Sequence, residues 1–345
     1  MAELSPAPIA SVVVVSRDLP PVLAEALDSL RAQSLRDLET IVVLNRAAEP
    51  VPGAAWASAF DGSRLIVAGR NLGFAGGANL GIGAARGRYV LLLNDDARAE
   101  PGWAEALVAE AERSPGVGMC ASKVLLIDPA GRIDTTGHRL FVDGLNRGRG
   151  RFEIDRGQYD GVRDVLFPSG AAALYRRAML DELGGFDERF FAYGEDTDLG
   201  LRARLAGWGC RYVPDAVAFH HGSVTAGAYS SFKAFHVERN RVWLVAKHFP
   251  AGLVLLNPAF SAVRYGAQAF AALRGRGAAA RFRAESSLGH ALFTTLRALA
   301  AGWLGVPRML AERRRLRSTR RLPLRTIYAW LRTDGLTLRQ IAWTE

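Results

Sequence analysis

Two adjacent carboxylates directly follow a short apolar run. Asp95 and Asp96, preceded by Asn94, come after Tyr89–Leu93, which reads YVLLL. In open α/β sheets, ligands bind beyond the carboxyl ends of the strands. Mg²⁺ is usually held by one or two carboxylates together with substrate phosphates. Asn-Asp also favours turns, so it is the position of the triplet at a strand end that predicts a cation site.

A second group of acids begins a predicted helix. Glu195, Asp196 and Asp198 follow the segment FFAYG at 190–194. Acids at a helix N-terminus offset the helix dipole, and Asp198 has the i,i+4 spacing for an ion pair with Arg202. The aromatic neighbours, however, limit solvation, which raises the pKa of a carboxyl toward the range of a useful general base.

Tandem histidines and a glycine-rich segment add two further candidates. His220 and His221 follow a strand-like run and have the chemistry to complete a carboxylate metal site. Residues 70–79, RNLGFAGGAN, place glycines at the start of a predicted helix, where backbone N–H groups can approach phosphate. The first turn, at 16–20, lacks glycine, which argues against a dinucleotide-binding enzyme, and no Walker loop is present.

Strand and helix signals alternate along the first 125 residues and predict an α/β domain. Apolar strands separated by helices indicate a mostly parallel sheet covered on both faces. The predicted strands are Ser11–Val15, Glu39–Leu44, Arg64–Val67, Tyr89–Leu93 and Val117–Ala121. The predicted helices between them are Pro20–Gln33, Ala75–Arg86 and Pro101–Arg113.

The remainder of the chain changes character twice. Residues 122–175 hold short alternating segments with Gly, Asp and Asn turns, which predict a β-rich insertion. Two helices are expected within 176–206, strands at Cys210–Val213 and Ala216–Phe219, and mainly helix from Ser230 onward. We therefore expect one domain at 1–250 and a helical, basic region at 251–345.

Charge and composition restrict the compartment and the partners. From residue 260 onward the chain holds 16 Arg, no Lys and four acids, a balance of +12, whereas the first 259 residues carry −2. This asymmetry predicts an anionic partner for the C-terminal region. Two cysteines without paired spacing and an N-terminus without a basic run favour the cytoplasm.

Two C-terminal segments are candidates for contact with a membrane. Phe249–Leu273 is interrupted by polar residues, so we expect an interfacial helix and not a transmembrane one. In the segment 288–304, one helical face carries Leu288, Leu292, Leu296, Leu299 and Trp303. We favour packing of this face on its own domain; the alternative is an amphipathic helix on an anionic membrane, which the run ERRRLRSTRR supports.

The order of these motifs resembles that of family 2 inverting glycosyltransferases, in particular a rhamnosyltransferase-like branch of bacterial cell-envelope assembly. The resemblance covers about residues 10–250. It rests on SVVVVSRD, NLGFAGGAN, YVLLLNDD, PSGAAALYRRAMLDELGGFDERFFAYGEDTDLGLR and ERNRVW. It implies a GT-A fold, a divalent cation (Mg²⁺ or Mn²⁺) and a nucleotide-sugar donor.

The resemblance also implies roles for individual residues. Asp96 matches the last acid of a DXD-like metal motif, and His220, with His221 as a rival, matches a histidine of the metal shell. Asp196 matches the catalytic base and Glu195 its partner acid. Residues that match positions near the nucleotide sugar are Ser16, Arg17, Asn45, Arg70, Asn71, Gly73 and Asp95. Leu44 stands where relatives often carry a base-reading Asp, so the nucleobase stays open.

The combined interpretation is metal-dependent, inverting transfer of a sugar to a glycan or a polyprenyl-linked glycan. The best candidate donor is dTDP-rhamnose. The enzyme is expected to lie peripherally on the inner face of the plasma membrane. Two alternatives remain: a nucleotidyltransferase, which releases pyrophosphate, or a non-catalytic basic adaptor for a membrane or nucleic acid. The absence of a nucleic-acid-binding motif argues against the nucleic-acid version of this adaptor.

Overall fold

The structure, a computed structural model, describes residues 7–17, 21–47, 60–222, 230–277 and 288–343. The first predicted helix begins at Pro20, which lies outside these ranges. All statements about structure below refer to the described residues.

The N-terminal half alternates strands and helices as the apolar runs predict. Its strands are β1 (Ala10–Ser16), β2 (Leu38–Ala47), β3 (Ser63–Gly69), β4 (Tyr89–Leu93), β5 (Ala97–Ala99) and β6 (Val117–Leu126). Its helices are α1 (Val22–Arg31), α2 (Gly73–Ala84) and α3 (Trp103–Arg113). The short strand β5 was not predicted, since it spans only three residues and follows the acidic triplet directly.

The central part carries short strands and two helices. They are β7 (Ile133–Thr135), β8 (His138–Leu140), β9 (Asn146–Gly148), β10 (Ala172–Arg176), α4 (Arg177–Leu183) and α5 (Glu195–Leu205). A single long strand, β11 (Gly209–His220), replaces the two predicted ones; a register shift between Val213 and Val217 explains the interruption of its apolar pattern.

The main sheet is mostly parallel, as predicted, but it contains antiparallel strands. Its order is β3-β2-β1-β4-β10-β6-β11-β5, with β7 paired to β6. The first four strands are mutually parallel, but β10 runs antiparallel to both β4 and β6. Sequence periodicity does not reveal this insertion, because β10 is buried on both faces like its parallel neighbours.

The sheet is covered on both faces, as predicted. Along β1, Val12 and Val14 pack in one buried cluster with Leu23, Leu27 and Trp103 from α1 and α3. Val13 points to the opposite face, where its cluster includes Ala75 and Ala78 of α2. Alternate side chains of one strand thus reach two separate cores, which fixes the strand ends relative to both helix layers.

Helices form most of the described chain after β11. They are α6 (Ser231–His248), α7 (Ala251–Leu273), α8 (Leu288–Arg315), α9 (Thr326–Asp334) and α10 (Leu338–Trp343). Among the described helices, none has the length and apolarity needed to cross a bilayer. The boundary at residue 250 stays a prediction.

The leucine face of α8 does not pack on the domain, contrary to the interpretation favoured from sequence. Leu292, Leu296 and Trp303 are exposed and Leu299 is half-buried; the side chain of Leu288 lies outside the described residues. The helix packs on α6 through a different face, where Thr294, Ala298 and Met309 are buried. Small residues permit a close helix contact, so the bulky side chains are left outside.

Candidate active site

The acidic triplet lies at the carboxyl ends of the central parallel strands. Ser16, the last residue of β1, donates its hydroxyl to Oδ2 of Asp95 at 2.7 Å. Burial raises the pKa of Asp95 to about 6; the Ser16 hydrogen bond opposes this rise and the adjacent Asp96 adds to it. Arg17, which follows Ser16, is exposed. The pair of buried acids thus forms an anionic edge.

His220 joins Asp96 at this edge. Its Nε2 lies 3.1 Å from Oδ1 of Asp96, and its Nδ1 lies 2.8 Å from Oδ2 of Asp134. Burial lowers the pKa of His220, but the hydrogen bonds to Asp134 and Asp96 outweigh burial and raise it to about 10. The rival His221 turns its Nε2 to within 3.8 Å of Glu25, on α1. The structure therefore brings His220, and not the His221 ring, to Asp96.

Asp134 of β7 is a site residue that the sequence did not reveal. Burial alone would raise its pKa, but Arg151, which pairs with its Oδ1, and His220 hold that pKa well below the usual range. A histidine that binds a metal is commonly oriented by a carboxylate on its other nitrogen. The acid lies in a short strand of the predicted insertion, and nothing in its spacing identifies His220, 86 positions away, as its partner.

The glycine-rich segment is shaped by two asparagines. Asn45, at the end of β2, donates Nδ2 to the carbonyl of Gly73 at 2.8 Å and accepts from the N–H of Leu72 at 2.8 Å. Asn71 accepts from the N–H of Gly73 at 2.9 Å. These amide groups hold the loop that begins α2, and Arg70 is exposed at its start.

The segment between Phe190 and Glu195 is a strained turn. Phe191 and Tyr193 have φ of 66° and 65°, and Gly194 has φ of 91°. Non-glycine residues adopt such angles at a cost, and these turns persist only when the surroundings hold them. Asn240 of α6 does so: its buried Nδ2 donates to the carbonyls of Phe190, Ala192 and Tyr193 at 3.0, 2.9 and 2.5 Å.

The strained turn contacts the glycine-rich loop. The carbonyl of Phe191 accepts from the N–H of Ala75 at 3.2 Å. A Cβ on Gly73, whose φ is +71°, would lie 2.3 Å from that same carbonyl oxygen. Gly73 therefore has to be glycine for both its backbone angle and its neighbour, and the glycine-rich loop and the turn before α5 are fixed to each other.

Glu195 and Asp196 begin α5 in different environments. Burial raises the pKa of Glu195 to about 8, and the charge of Asp196 adds to this rise; Oε2 of Glu195 has no hydrogen-bond partner among the described residues. Asp196 accepts at Oδ1 from the N–H and hydroxyl of Thr197, at 2.6 and 3.2 Å. Its Oδ2 accepts from the N–H of Gly170 at 3.3 Å.

His138 of β8 is a second residue that sequence reasoning missed. Its Nδ1 lies 4.0 Å from Oδ2 of Asp196 and is buried without a hydrogen-bond partner. Burial lowers the pKa of His138 and the charge of Asp196 opposes that effect. Asp134 and His138, four residues apart, thus approach the two acidic groups from the same insertion.

The two acidic groups converge on one short segment. The N–H of Asn94 donates to the carbonyl of Ala171 at 2.9 Å, and the preceding residue, Gly170, donates to Asp196. Residues about one hundred positions apart therefore flank a single site.

Asp198, in contrast, belongs to a buried ion network. Its carboxylate contacts Lys247 at 2.6 Å, His248 at 2.7 Å and Arg202 at 2.8 Å. The predicted pairing with Arg202 is confirmed. This carboxylate anchors α5 to α6 and is not available for chemistry.

The acids at the end of β4 fit a divalent cation whose remaining ligands would come from the substrate. No cluster of three or more His, Cys, Asp or Glu side chains in the described residues is arranged to enclose a metal. Mg²⁺ needs only one or two carboxylates when substrate phosphates supply further oxygens. Asp95 and Asp96 are adjacent buried carboxylates, and the pKa of Asp95 is raised. Their oxygens would serve as ligands, and the cation would neutralise their negative charge.

Known proteins resemble this chain in both sequence and fold. The N-acetylglucosaminyl-diphospho-decaprenol L-rhamnosyltransferase of Mycobacterium tuberculosis (strain H37Rv) is 30% identical over 262 residues, covering 69% of this chain and 84% of that protein. The O-antigen biosynthesis protein RfbC of Myxococcus xanthus is 30% identical over 231 residues, or 64% of this chain and 18% of its own length.

A solved structure supports the fold. GalNAc-T7 with UDP, GalNAc and Mn²⁺ superimposes with a TM-score of 0.57 at 15% identity, over 72% of this chain and 49% of that one. The GT-A fold expected from the resemblance is confirmed. The model of the family described as "Glycosyltransferase like family 2" matches residues 6–246, and the chain therefore belongs to the family 2 glycosyltransferases.

Proposed function

We propose that this glycosyltransferase transfers a sugar, with inversion, from a nucleotide-sugar donor to a glycan or a polyprenyl-linked glycan in cell-envelope polysaccharide synthesis. The observation that carries the proposal is the convergence of Asn94–Asp96 and Asp196 on Gly170 and Ala171. The similarity to a rhamnosyltransferase makes dTDP-rhamnose the best candidate donor.

Asp196 is the proposed general base. Its Oδ1 is occupied by Thr197, which leaves Oδ2 as the oxygen that takes the proton from an acceptor hydroxyl. As that proton leaves, the hydroxyl oxygen attacks the anomeric carbon on the face opposite the departing nucleotide. Assistance of this kind contributes about 10²–10⁴-fold to the rate.

Glu195 assists by remaining protonated. With its pKa raised to about 8 by burial and by Asp196, it is mostly neutral at pH 7. Neutral Glu195 places no second negative charge beside Asp196.

Asp96, with Asp95 and His220 beside it, would hold a divalent cation, Mg²⁺ or Mn²⁺. When bound, such a cation neutralises the charge that grows on the departing diphosphate. The chain's own part is to hold both acids close together and to fix the His220 ring through Asp134. Asn45, Asn71 and Gly73 shape the adjacent loop for the donor, with Ser16, Arg17 and Arg70 at its border.

A lipid-linked acceptor would place the enzyme at the cytoplasmic face of the plasma membrane. The +12 balance of residues 260–345 supports contact with an anionic membrane surface. The division into a catalytic domain at 1–250, with an acceptor-side insertion at 122–175, and a basic region at 251–345 belongs to this proposal.

The deciding experiment is a panel of nucleotide sugars, each tested for thermal stabilisation with and without Mg²⁺ or Mn²⁺. A ligand that binds only the folded state raises its stability. We expect one donor to raise the melting temperature only with metal, and Asp96→Ala to abolish that rise. Turnover with this donor should release a nucleoside diphosphate. Release of pyrophosphate would instead identify a nucleotidyltransferase, and stabilisation by no donor would refute the proposal.

A further inference from the structure

The polarity of α7 is reversed relative to an ordinary surface helix. Its polar residues Asn257, Ser261 and Arg264 are buried against the domain. Arg264 donates Nε to Asp143 at 2.6 Å, and Asn257 donates to the carbonyl of Asp143 at 3.0 Å. The interior side of this helix therefore combines hydrogen bonds and ion pairs with the buried apolar residues Leu253 and Ala271.

The outward face of α7 is apolar and uncharged. It exposes Leu255, Leu256, Val263, Phe270 and Leu273, with Leu255 at 80% and Leu273 at 77% of full exposure. At about 100° per residue these five side chains fall within an arc of about 100°, roughly opposite the buried polar residues. The stripe from Leu255 to Leu273 is about 27 Å long. Exposure of this kind, in a continuous stripe, marks an interaction surface.

Helix α8 has an exposed apolar stripe as well. Leu292, Phe293, Leu296, Trp303 and Leu304 are exposed, Leu304 at 83%. The opposite side of α8 contacts α6 through small residues, because a Cβ on Gly302 or Gly305 would meet Val242 or Trp243 of α6 within about 3 Å.

Helices α7 and α8 approach each other at one small crevice. Its lining includes Val254 and Asn257 of α7, Trp303 and Val306 of α8, and Val242 and Val245 of α6. Because Asn257 belongs to the buried side of α7, this crevice lies behind the exposed α7 stripe. We define the outward faces of α7 and α8 together as the α7–α8 surface.

Arginines border the α7–α8 surface. Arg274, Arg297 and Arg308 are exposed, and Arg314, Arg315 and Arg317 extend the basic border at the end of α8. An apolar stripe edged by cations is the pattern of a helix that lies in a membrane interface and meets anionic headgroups. A second protein copy would bring the same cations to the contact, which disfavours self-association.

We propose that the α7–α8 surface docks on an anionic lipid bilayer, with both stripes inserted among the headgroups. The inference rests on the proposed function, because docking would present the active site to a lipid-linked acceptor. The new element is α7: its apolar side chains, and not those of α8 alone, form the lipid contact.

The experiment measures sedimentation of the full chain with vesicles of phosphatidylcholine containing phosphatidylglycerol, and with phosphatidylcholine alone. The α7 variant is Leu255→Glu/Leu273→Glu, and the α8 variant is Leu292→Glu/Leu296→Glu. The matched control is Ile154→Glu/Val162→Glu, which places two acids on exposed apolar residues of the predicted insertion. All three variants change the net charge equally.

We expect the wild type and the control to bind the mixed vesicles, with less binding to phosphatidylcholine alone. Both helix variants should bind more than about tenfold more weakly. Equal binding by the α7 variant and the control would overturn the inference. The inference would also be overturned if the wild type does not bind vesicles but forms a dimer, and the α7 substitutions dissociate that dimer. The α7–α8 surface would then join two copies of the chain.

Transfer to a water-soluble glycan acceptor separates this inference from the proposed function. If the wild type binds vesicles but transfers no sugar, the proposed function is refuted and the docking inference stands. A wild type that transfers sugar and does not bind vesicles would refute the surface alone. The helix variants should retain transfer to the soluble acceptor, because their substitutions lie outside the active site.

Discussion

The two oxygens of Asp196 are unequally occupied, and this asymmetry defines its chemistry. Oδ1 accepts two hydrogen bonds from Thr197 within the first turn of α5, whereas Oδ2 has only a 3.3 Å contact from Gly170 and lies 4.0 Å from His138. A carboxylate held by one oxygen keeps the other free for a substrate proton. Oδ2 is therefore the oxygen that the proposed mechanism uses.

Asp196→Asn tests this assignment directly. The amide keeps the size of the side chain and the contact with Thr197 but does not take a proton, so turnover should fall by about 10²–10⁴-fold. Metal-dependent stabilisation by the donor should remain. Steady-state rates and thermal melts measure both, with Asp28→Asn, an exposed α1 position, as the control. Near-normal turnover in Asp196→Asn would show that another group accepts the proton.

Glu195 gives a prediction about stability and pH. Its pKa is about 8 in the folded protein, against 4.5 as the ordinary value. Between these values the unfolded chain loses the proton while the folded protein keeps it, so the free energy of unfolding falls as pH rises from 4.5 to 8. Glu195→Gln removes this titration. Urea unfolding at several pH values should show a shallower fall for the variant than for the wild type; identical slopes would contradict the raised pKa.

At the scale of elements, the strained turn at 190–194 connects three parts of the site. It is held from α6 by Asn240, it contacts the glycine-rich loop through the carbonyl of Phe191, and it leads into Glu195. Arg239 supports Asn240 by donating Nε to its Oδ1 at 2.8 Å. The motif ERNRVW, identified by resemblance alone, thus acquires a physical role: its Asn240 fixes the turn that leads into α5.

Asn240→Asp should uncouple this turn. The substitution replaces an N–H₂ donor with an oxygen that faces three carbonyls, so the turn loses its clamp and Asp196 shifts. We expect kcat to fall by about 10²-fold, the loss typical of a misplacement near 1 Å, with a smaller change in the donor KM. Asn257→Asp is the matched control, because it removes another buried amide donor, to Asp143, far from the turn. Equal losses of kcat would assign Asn240 a general structural role.

Sequence patterns predicted the positions of helices and strands better than the contacts between them. The apolar runs predicted β1, β2, β4 and α3 closely, because burial on both faces leaves a continuous apolar signal. The antiparallel placement of β10 was not predictable, since pairing direction leaves no mark in periodicity. Asp134 and His138 were missed for a related reason: their importance arises from contacts with His220 and Asp196, which are distant in sequence.

The same limit explains α8. Its spacing correctly indicated one bulky apolar face, but spacing does not say whether that face is inward or outward. The small residues on the opposite side decide the question, because they allow α8 to approach α6 closely. Helix α7 is a second case in which spacing does not tell which face is buried. The polar residues that interrupt its apolar sequence lie on the buried side and not on a solvent-facing one.

At the scale of the whole molecule, two consecutive residues of α6 connect the strained turn at 190–194 to α7. Asn240 holds the turn, and its neighbour Arg241 donates to Glu238 at 2.6 Å and to Ser261 of α7 at 2.9 Å. Burial would raise the pKa of Glu238, but Arg264 and Arg241 hold it at about 2. Charged, buried contacts therefore connect α7 to α6.

Arg264→Met tests whether this network secures α7. Arg264 is buried between Asp143 and Glu238 and donates to both. Removing one partner leaves buried carboxylates short of positive charge, which costs about 3–5 kcal/mol of folding free energy. Arg274→Met, at an exposed position of the same segment, should change the free energy of unfolding by less than about 0.5 kcal/mol. Urea denaturation compares the two variants. If they lose equal stability, the buried ion pairs do not hold α7 on the domain, and the orientation of its apolar face must have another cause.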